Sequence, residues 1–250
     1  MRHLKTVIVG LLQLCHGGLL HRAVAQASGE EELRVVVESR GWRLVGDLRL
    51  PASAGTVPAV LMLNRAAGDR TVYRELAHQL AVRGIASLRL DLAGHGESVN
   101  LGRFVPGVAD SVDRDVMIWA SDIDVAAAHR YLKAHPRIDS TSIGMIGASY
   151  SGEETAEAGR ASGHAQAYVQ LSPGSFSEAS VAGIDSTGVP WLFIVSNNER
   201  HLREITASVQ ATSRTVELLI LPGVEHATRI LETRPDMSER IAVWLRHHLR

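Results

Sequence analysis

The sequence predicts an α/β fold: a mostly parallel, doubly wound sheet with helices on both faces, preceded by an N-terminal antiparallel hairpin. Two observations support this. Short apolar runs of strand length alternate along the chain with longer segments of helical periodicity. Of the 250 residues, 45% are hydrophobic and 21% are charged, which is enough apolar surface for a packed core. Chains of this length that form a doubly wound sheet commonly fold as one domain, so we expect a single domain over residues 26–250.

The elements follow in a regular order. Two strand-like runs at 33–38 and 42–50 are separated by only three residues, which predicts the hairpin. Further strands are predicted at 58–63, 85–91, 142–146, 167–171, 191–195 and 216–221. Helices are predicted at 71–83, 115–133, from about 150, at 200–210 and at 236–249. Right-handed crossovers make such strands parallel, and sites in such sheets lie at the carboxyl ends of the strands.

Apolar stripes support the two longest helical predictions. The first stripe comprises Val116, Trp119, Ile123 and Ala127, and the second comprises Met237, Ile241, Trp244, Leu245 and Leu249. We expect both helices to pack on the sheet through these side chains.

The first 25 residues are typical of a signal peptide. Arg2 and Lys5 precede an apolar stretch over residues 6–15, and Ala23 and Ala25 form a small-x-small cleavage pattern. We therefore expect a secreted or periplasmic protein. A disordered or membrane-anchoring tail is the alternative, although the apolar run is too short to span a bilayer.

The cysteine count and the charge limit the chemistry. The only cysteine, Cys15, lies in the expected signal peptide, and Leu14 before it is not the small residue that a lipoprotein signal needs. The formal net charge is -1, so the protein lacks the strong positive electrostatic potential that attracts nucleic acid or an anionic membrane. Zinc-ligand spacings and a phosphate-binding glycine motif are absent from the sequence, so no cofactor or metal is expected. The oligomeric state stays open.

A candidate nucleophile lies where a strand leads directly into a helix. Residues 143–152 read I-G-M-I-G-A-S-Y-S-G, with Gly147, Ser149 and Ser151 in a small-x-Ser-x-small turn typical of a nucleophile elbow. The turn exposes the serine hydroxyl at a helix N-terminus, and the N–H of Tyr150 is the expected oxyanion donor. A tight connection with a capping serine is the structural alternative.

A second motif strengthens the functional interpretation. Residues 91–98, D-L-A-G-H-G-E-S, resemble the D-x-x-G-H-G-x-S turn after the fourth strand of many α/β-hydrolases. Over residues 33–250 the chain resembles this superfamily of serine esterases, lipases and peptidases. The resemblance implies the α/β-hydrolase fold, a largely structural role for His95, and the order nucleophile, acid, histidine.

His226 is the candidate general base. It lies in L-P-G-V-E-H-A-T after the last strand, which resembles the family's P-G-x-x-H turn. His78, His129 and His135 are predicted on or beside surface helices, and His247 and His248 lie at the chain end.

Glu199 occupies the acid position that the resemblance implies. Residues 196–199, S-N-N-E, match a G-x-x-D segment, with Ser196 in place of glycine and glutamate in place of aspartate. Asp185 and Glu225 are the fallback acids. A surface glutamate at a helix start is the non-catalytic interpretation.

The loop after the third strand departs from the family pattern. It reads N-R-A-A-G-D, so Asn64 and Arg65 occupy the usual histidine and glycine sites, and Ala66 is expected to supply the second oxyanion N–H. Arg65 either forms a structural salt bridge or faces the pocket and favours a substrate that carries a carboxylate.

These features predict a carboxylesterase-like serine hydrolase acting on a small-molecule acyl substrate, with an ester preferred over a thioester or a peptide. Between Leu171 and Pro190 the chain is short, so there is little room for a helical lid and an open site is expected. Two alternatives stay open: a catalytically inactive binding protein of the same fold, and an acyltransferase that uses an alcohol instead of water.

Overall fold

The computed structural model describes residues 29–106 and 120–249. The expected signal peptide with Cys15, and the predicted helical residues 115–119 with Val116 and Trp119, lie outside the described residues.

Eight strands form one sheet in the order β1-β2-β4-β3-β5-β6-β7-β8. They are β1 (Glu31–Ser39), β2 (Trp42–Leu50), β3 (Val57–Leu63), β4 (Ala86–Leu90), β5 (Ile138–Ala148), β6 (Ala167–Leu171), β7 (Trp191–Ser196) and β8 (Val216–Leu221). β2 is antiparallel to both of its neighbours, and all pairs from β4 through β8 are parallel. The expected hairpin and the mostly parallel sheet are confirmed.

Helices cover both faces of the sheet, as predicted. Those in the described ranges are α1 (Arg74–Val82), α2 (Ser121–Ala134), α3 (Tyr150–Ser162), α4 (Glu178–Thr187), α5 (Arg200–Thr212), α6 (Arg229–Thr233) and α7 (Asp236–His248). One core cluster contains side chains from α2 to α5, and the other contains side chains from α1, α6 and α7. Each face of the sheet is therefore buried under its own helical layer.

Three local features differ from the sequence expectations. The chain forms a 3-10 turn at Arg70–Tyr73 before α1 begins, and β5 begins at Ile138 rather than at residue 142. The helices α4 and α6 were not predicted. In α4 only Ser180 and Ile184 are buried, and this helix therefore lacks the apolar stripe by which a helix is recognised in a sequence. The helix begins after Ser177, whose side chain accepts the N–H of Ser180.

The prediction that Ile123 lies on the buried face of α2 is wrong. Its side chain is 45% exposed, whereas Val125, Ala128 and Leu132 are buried. The buried face also contains Asp124, which accepts a hydrogen bond from Ser39 at 2.6 Å and pairs with Arg40 at 2.7 Å. A pattern of apolar residues cannot reveal a face that includes a paired carboxylate.

The predicted stripe of α7 is largely confirmed. Met237, Ile241, Leu245 and Leu249 are at most 1% exposed. Trp244 is only partly buried because it lies at the side of the stripe, where its Nε1–H donates to Glu217 of β8 at 2.9 Å.

β8 is an edge strand of the sheet. It pairs with β7 on one side only, and Ile220 within it is 46% exposed. The strand still determines the path of the chain into the next loop, since residues 222–228 follow directly at its carboxyl end.

Two substitutions in α7 test how much the buried stripe stabilises the fold. Ile241→Ala removes a fully buried side chain, and we expect it to lower the free energy of unfolding by about 2–5 kcal/mol. Val243→Ala alters a side chain on the opposite face of the helix that is 53% exposed. This variant should change the free energy of unfolding by less than about 0.5 kcal/mol. Denaturant unfolding of both variants measures the difference, and equal losses would contradict this packing.

Candidate active site

Ser149 lies in the sharp turn between β5 and α3. Its φ is 57° and its ψ is -123°, a backbone conformation that residues other than glycine rarely adopt. The Ser149 N–H donates to the carbonyl of Leu171 in the neighbouring strand at 2.9 Å. The backbone of the turn therefore places the serine at the carboxyl edge of the sheet.

The residues on either side of the turn show why small side chains are needed. A Cβ added at Gly147 would lie 2.5 Å from the Ser151 carbonyl oxygen and 2.6 Å from the Cα of Gly152. Ser151, where the family pattern has glycine, is fully buried, and its hydroxyl accepts the N–H of Ala148 at 2.7 Å. The serine is thus accommodated and adds a hydrogen bond to the turn.

His226 lies between the nucleophile candidate and the acid candidate. Its Nε2 is 3.0 Å from Ser149 Oγ, and its Nδ1 is 2.6 Å from Glu199 Oε1. A carboxylate only accepts hydrogen bonds, so Nδ1 carries a proton. In the neutral ring Nε2 is then the acceptor and faces the serine hydroxyl.

Glu199 is held on its far side as well. Its Oε2 accepts the N–H of Ser196 at 2.8 Å and the hydroxyl of Ser172 at 2.7 Å. Burial alone would raise the pKa of Glu199, but the hydrogen bonds from His226, Ser196 and Ser172 outweigh it and lower the pKa. The group is therefore a carboxylate at neutral pH.

Solvent reaches the imidazole but hardly the acid. The His226 side chain is 43% exposed and the Glu199 side chain only 9%. The fallback acids lie elsewhere: Asp185 is an exposed residue of α4, and the Glu225 carboxylate accepts the N–H of Val224. Of the three acids considered, the structure brings Glu199 into contact with His226.

Two other histidines, His129 and His95, are buried in the fold. His129 is buried, contrary to the surface position expected, and burial, with Lys133 and Arg130 nearby, lowers its pKa to about 4. His95 is also buried: its Nδ1 lies 2.9 Å from the Ala93 carbonyl oxygen, and its ring stacks on Phe104 and Tyr150.

The turn over residues 91–98 is fixed by a buried carboxylate. Asp91 accepts the N–H of Arg70 at 2.7 Å and that of Glu97 at 2.9 Å, and it pairs with the Arg70 guanidinium at 2.6 Å. A Cβ at Gly96 would lie 2.1 Å from Asp91 Oδ2. The motif therefore needs glycine at this position for close approach.

The loop after β3 reaches the same edge of the sheet, because β3 and β5 are neighbours. Asn64 is fully buried, with Nδ2 donating to the Arg65 carbonyl and Oδ1 accepting the N–H of Leu92. Arg65 Nη1 donates to the Ala66 carbonyl at 3.0 Å, whereas its buried Nε has no hydrogen-bond partner among the described residues. Arg65 makes no ion pair within those residues, so the expected alternative of a structural salt bridge is absent there.

The short segment between β6 and β7 contains α4, which packs against α3. The hydroxyls of Ser177 and Ser180 both donate to Glu157 of α3. The segment therefore builds a helical layer of the domain.

Sequence reasoning missed two serines that support the site. Ser172 follows β6 and Ser196 ends β7, and both donate hydrogen bonds near His226 or Glu199. Their positions after strands at the same edge as Ser149 could have drawn attention to them.

Within residues 29–106 and 120–249, no cluster of three or more His, Cys, Asp or Glu side chains could hold a metal ion. Over the same ranges, no helix combines the length and the apolar character that a membrane span requires.

A curated protein and several solved structures resemble the chain. A protein from a Bradyrhizobium species, named "Probable 2-oxo-3-(5-oxofuran-2-ylidene)propanoate lactonase", is 25% identical over 213 residues, covering 77% of this chain and 82% of that protein. The structure of dienelactone hydrolase from Anabaena variabilis has a TM-score of 0.65 at 19% identity and covers 89% of this chain and 100% of that one. An esterase from Pyrococcus furiosus has a TM-score of 0.66 at 17% identity, over 88% and 94% of the two chains. These two solved structures show a shared fold.

A sequence model described as X-Pro dipeptidyl-peptidase (S15 family) matches residues 40–190. The match includes Ser149 and the turn over residues 91–98, and it ends before Glu199 and His226. It spans more than half of the 250 residues. The chain therefore belongs to the X-Pro dipeptidyl-peptidase (S15) family of hydrolases, within the α/β-hydrolase superfamily.

Proposed function

We propose that the protein is a serine hydrolase that cleaves a carboxylic ester through an acyl-enzyme on Ser149. The observation that carries the proposal is the continuous hydrogen-bonded chain from Ser149 through His226 to Glu199. A serine hydroxyl is a weak nucleophile, and a neighbouring imidazole oriented by a carboxylate is the usual means of activating it.

The proposed reaction has two halves. Ser149 Oγ attacks the ester carbonyl carbon while Nε2 of His226 takes the hydroxyl proton, and the N–H groups of Tyr150 and Ala66 stabilise the oxyanion. The tetrahedral intermediate expels the alcohol, which receives the proton from His226. Water then attacks the acyl-enzyme, gives its proton to His226, and releases the acid as Ser149 is reprotonated. Glu199 stabilises the imidazolium in both halves.

The relatives favour esters and lactones as the bond type. A lactone is a cyclic ester, and the Bradyrhizobium relative and the solved relatives are named for lactone or ester hydrolysis. A thioester would react by the same steps. Peptide hydrolysis is the second candidate, because the family is named for a peptidase.

Two other functions share the fold. A catalytically inactive binding protein is disfavoured by the short contacts of His226 with both partners, which a binding role does not need. An acyltransferase would use the same acyl-enzyme and differ only in accepting an alcohol in place of water.

Ser149→Ala tests the nucleophile. We expect the variant to lose at least about 1,000-fold in kcat on p-nitrophenyl esters and to resist a fluorophosphonate probe, because the attacking oxygen is gone. Ser186→Ala, at an exposed serine of α4, is the matched control and should keep both activities. A wild-type protein that the probe does not label would contradict the proposal and support the inactive binding protein.

The same preparation separates the bond types. Turnover of p-nitrophenyl esters or lactones, without cleavage of an alanyl-prolyl p-nitroanilide, supports ester hydrolysis; the opposite pattern supports peptide hydrolysis. Addition of a primary alcohol with analysis of the products detects acyl transfer.

Glu199→Gln and Glu225→Gln form a pair that tests the acid. The amide cannot stabilise an imidazolium as a carboxylate does, so we expect Glu199→Gln to lower kcat by about 100-fold or more. Glu225→Gln should lower it by less than about threefold, because that carboxylate does not contact His226. Steady-state kinetics at pH 8 measure both, and a larger loss in Glu225→Gln would reassign the acid.

We also propose that Arg65 favours substrates that carry a carboxylate. Its guanidinium has no ion-pair partner among the described residues, and it adjoins Ala66, the proposed oxyanion donor. The substrate named for the Bradyrhizobium relative contains a propanoate carboxylate. A charge-assisted hydrogen bond from arginine to such a group would orient the substrate.

Arg65→Ala tests this specificity on two esters, a p-nitrophenyl alkanoate and its analogue with a terminal carboxylate. We expect kcat/KM for the acidic ester to fall by about 10–100-fold, and that for the neutral ester by less than about threefold. Arg74→Ala, at the exposed start of α1, is the control. An equal loss on both esters would remove the assignment.

A further inference from the structure

The turn that follows β6, residues 171–174, contacts the backbone or side chains of all three site loops. The carbonyl of Leu171 accepts the N–H of Ser149 at 2.9 Å, and the N–H of Gly174 donates to the Ser149 carbonyl at 3.2 Å. Between them, the Ser172 hydroxyl donates to Glu199 at 2.7 Å and accepts the N–H of Ala227 at 3.0 Å. One short turn therefore links the serine, acid and histidine loops.

Ser172 has no access to solvent, and its hydrogen-bonding capacity is well used. A hydroxyl has one proton and two lone pairs. Here the proton is directed to Glu199 Oε2, and one lone pair accepts the N–H of the residue that follows His226. The same oxygen thus determines the position of the carboxylate and the position of the backbone that carries the imidazole.

The backbone of Ser172 is strained in a way that glycine would relieve. Its φ is 44°, in the left-handed region, which is unfavourable for a residue with a Cβ. Glycine would adopt this conformation without the cost but would lack the hydroxyl. The serine therefore supplies something that the turn itself does not require.

We infer that Ser172 is a positioning residue for the Glu199–His226 pair. The inference rests on the proposed serine hydrolase function. With Oε2 held by Ser172 and the Ser196 N–H, Oε1 faces Nδ1 of His226. The carboxylate then keeps its orientation while the imidazole gains and loses a proton, so no reorientation accompanies either proton transfer.

Two variants separate this role from a purely structural one. Ser172→Ala removes the hydroxyl and keeps the Cβ, whereas Ser172→Gly removes the hydroxyl and also relieves the backbone strain. If Ser172 only shaped the turn, glycine would restore what alanine loses. If the hydroxyl positions the acid, both variants lose it equally. Ser186→Ala is the exposed control.

We expect both Ser172 variants to lower kcat about tenfold with KM changed less than about twofold, which corresponds to one hydrogen bond in the transition state. The pH profile should also move. Ser172 lowers the pKa of Glu199, so its loss raises that pKa and the carboxylate is protonated at a higher pH. The acidic limb of kcat/KM should therefore shift to higher pH, which a mere loss of folded protein does not cause.

A proton NMR spectrum gives a readout that needs no turnover. The 2.6 Å contact between His226 Nδ1 and Glu199 Oε1 should give a far-downfield proton signal in the wild-type protein. We expect this signal to shift or broaden in Ser172→Ala and Ser172→Gly and to stay unchanged in Ser186→Ala. An unchanged signal in both Ser172 variants overturns the inference, as does wild-type kcat in Ser172→Gly. If ester cleavage is absent from the wild type while the signal responds to Ser172, the proposed function fails and the positioning role stands.

Discussion

The site depends on the left-handed backbone at Ser149. Strand β5 must turn into α3 within a single residue, and the chain folds back so closely that no Cβ fits at Gly147. Neighbouring backbone holds this conformation through the Leu171 carbonyl, and a serine in such a turn has its hydroxyl directed out of the sheet edge. The position of the hydroxyl is therefore a result of packing in the centre of the sheet, where β5 has a paired strand on each side.

The sheet order explains how distant segments of the chain meet there. Ser149 and His226 are 77 positions apart, yet β5, β6, β7 and β8 lie side by side and parallel. Parallel strands end at the same edge, so the loops after β5, β7 and β8 come together above it. The loop after β6 lies between the first of these loops and the other two, and the hydroxyl of its Ser172 bonds to Glu199 after β7 and to the Ala227 N–H after β8.

Most of the fold could be predicted because its signals are local. The apolar runs gave β6 and β8 with their observed bounds, and the small residues around Ser149 indicated the turn. The contact of Glu199 with His226 followed from the order of motifs along the chain. The burial of Asp124, the exposure of Ile123 and the helix α4 could not be predicted in this way, because each depends on partners distant in sequence. The role of Ser172 is of the same kind, since its hydroxyl acts between loops that only the folded sheet brings together.

The strands that carry His226 and Ser149 differ in how many neighbouring strands they pair with, because β8 lies at the edge of the sheet and β5 lies in its interior. His226 is attached to a strand that has one hydrogen-bonded neighbour, whereas Ser149 is attached to a strand with neighbours on both sides. Outer strands detach from a sheet at lower free energy than inner ones. A brief fraying of β8 would draw the imidazole away from the serine while the central strands stay paired. The proposed contact between Ser149 and His226 therefore depends on the pairing of one outer strand as well as on the central strands.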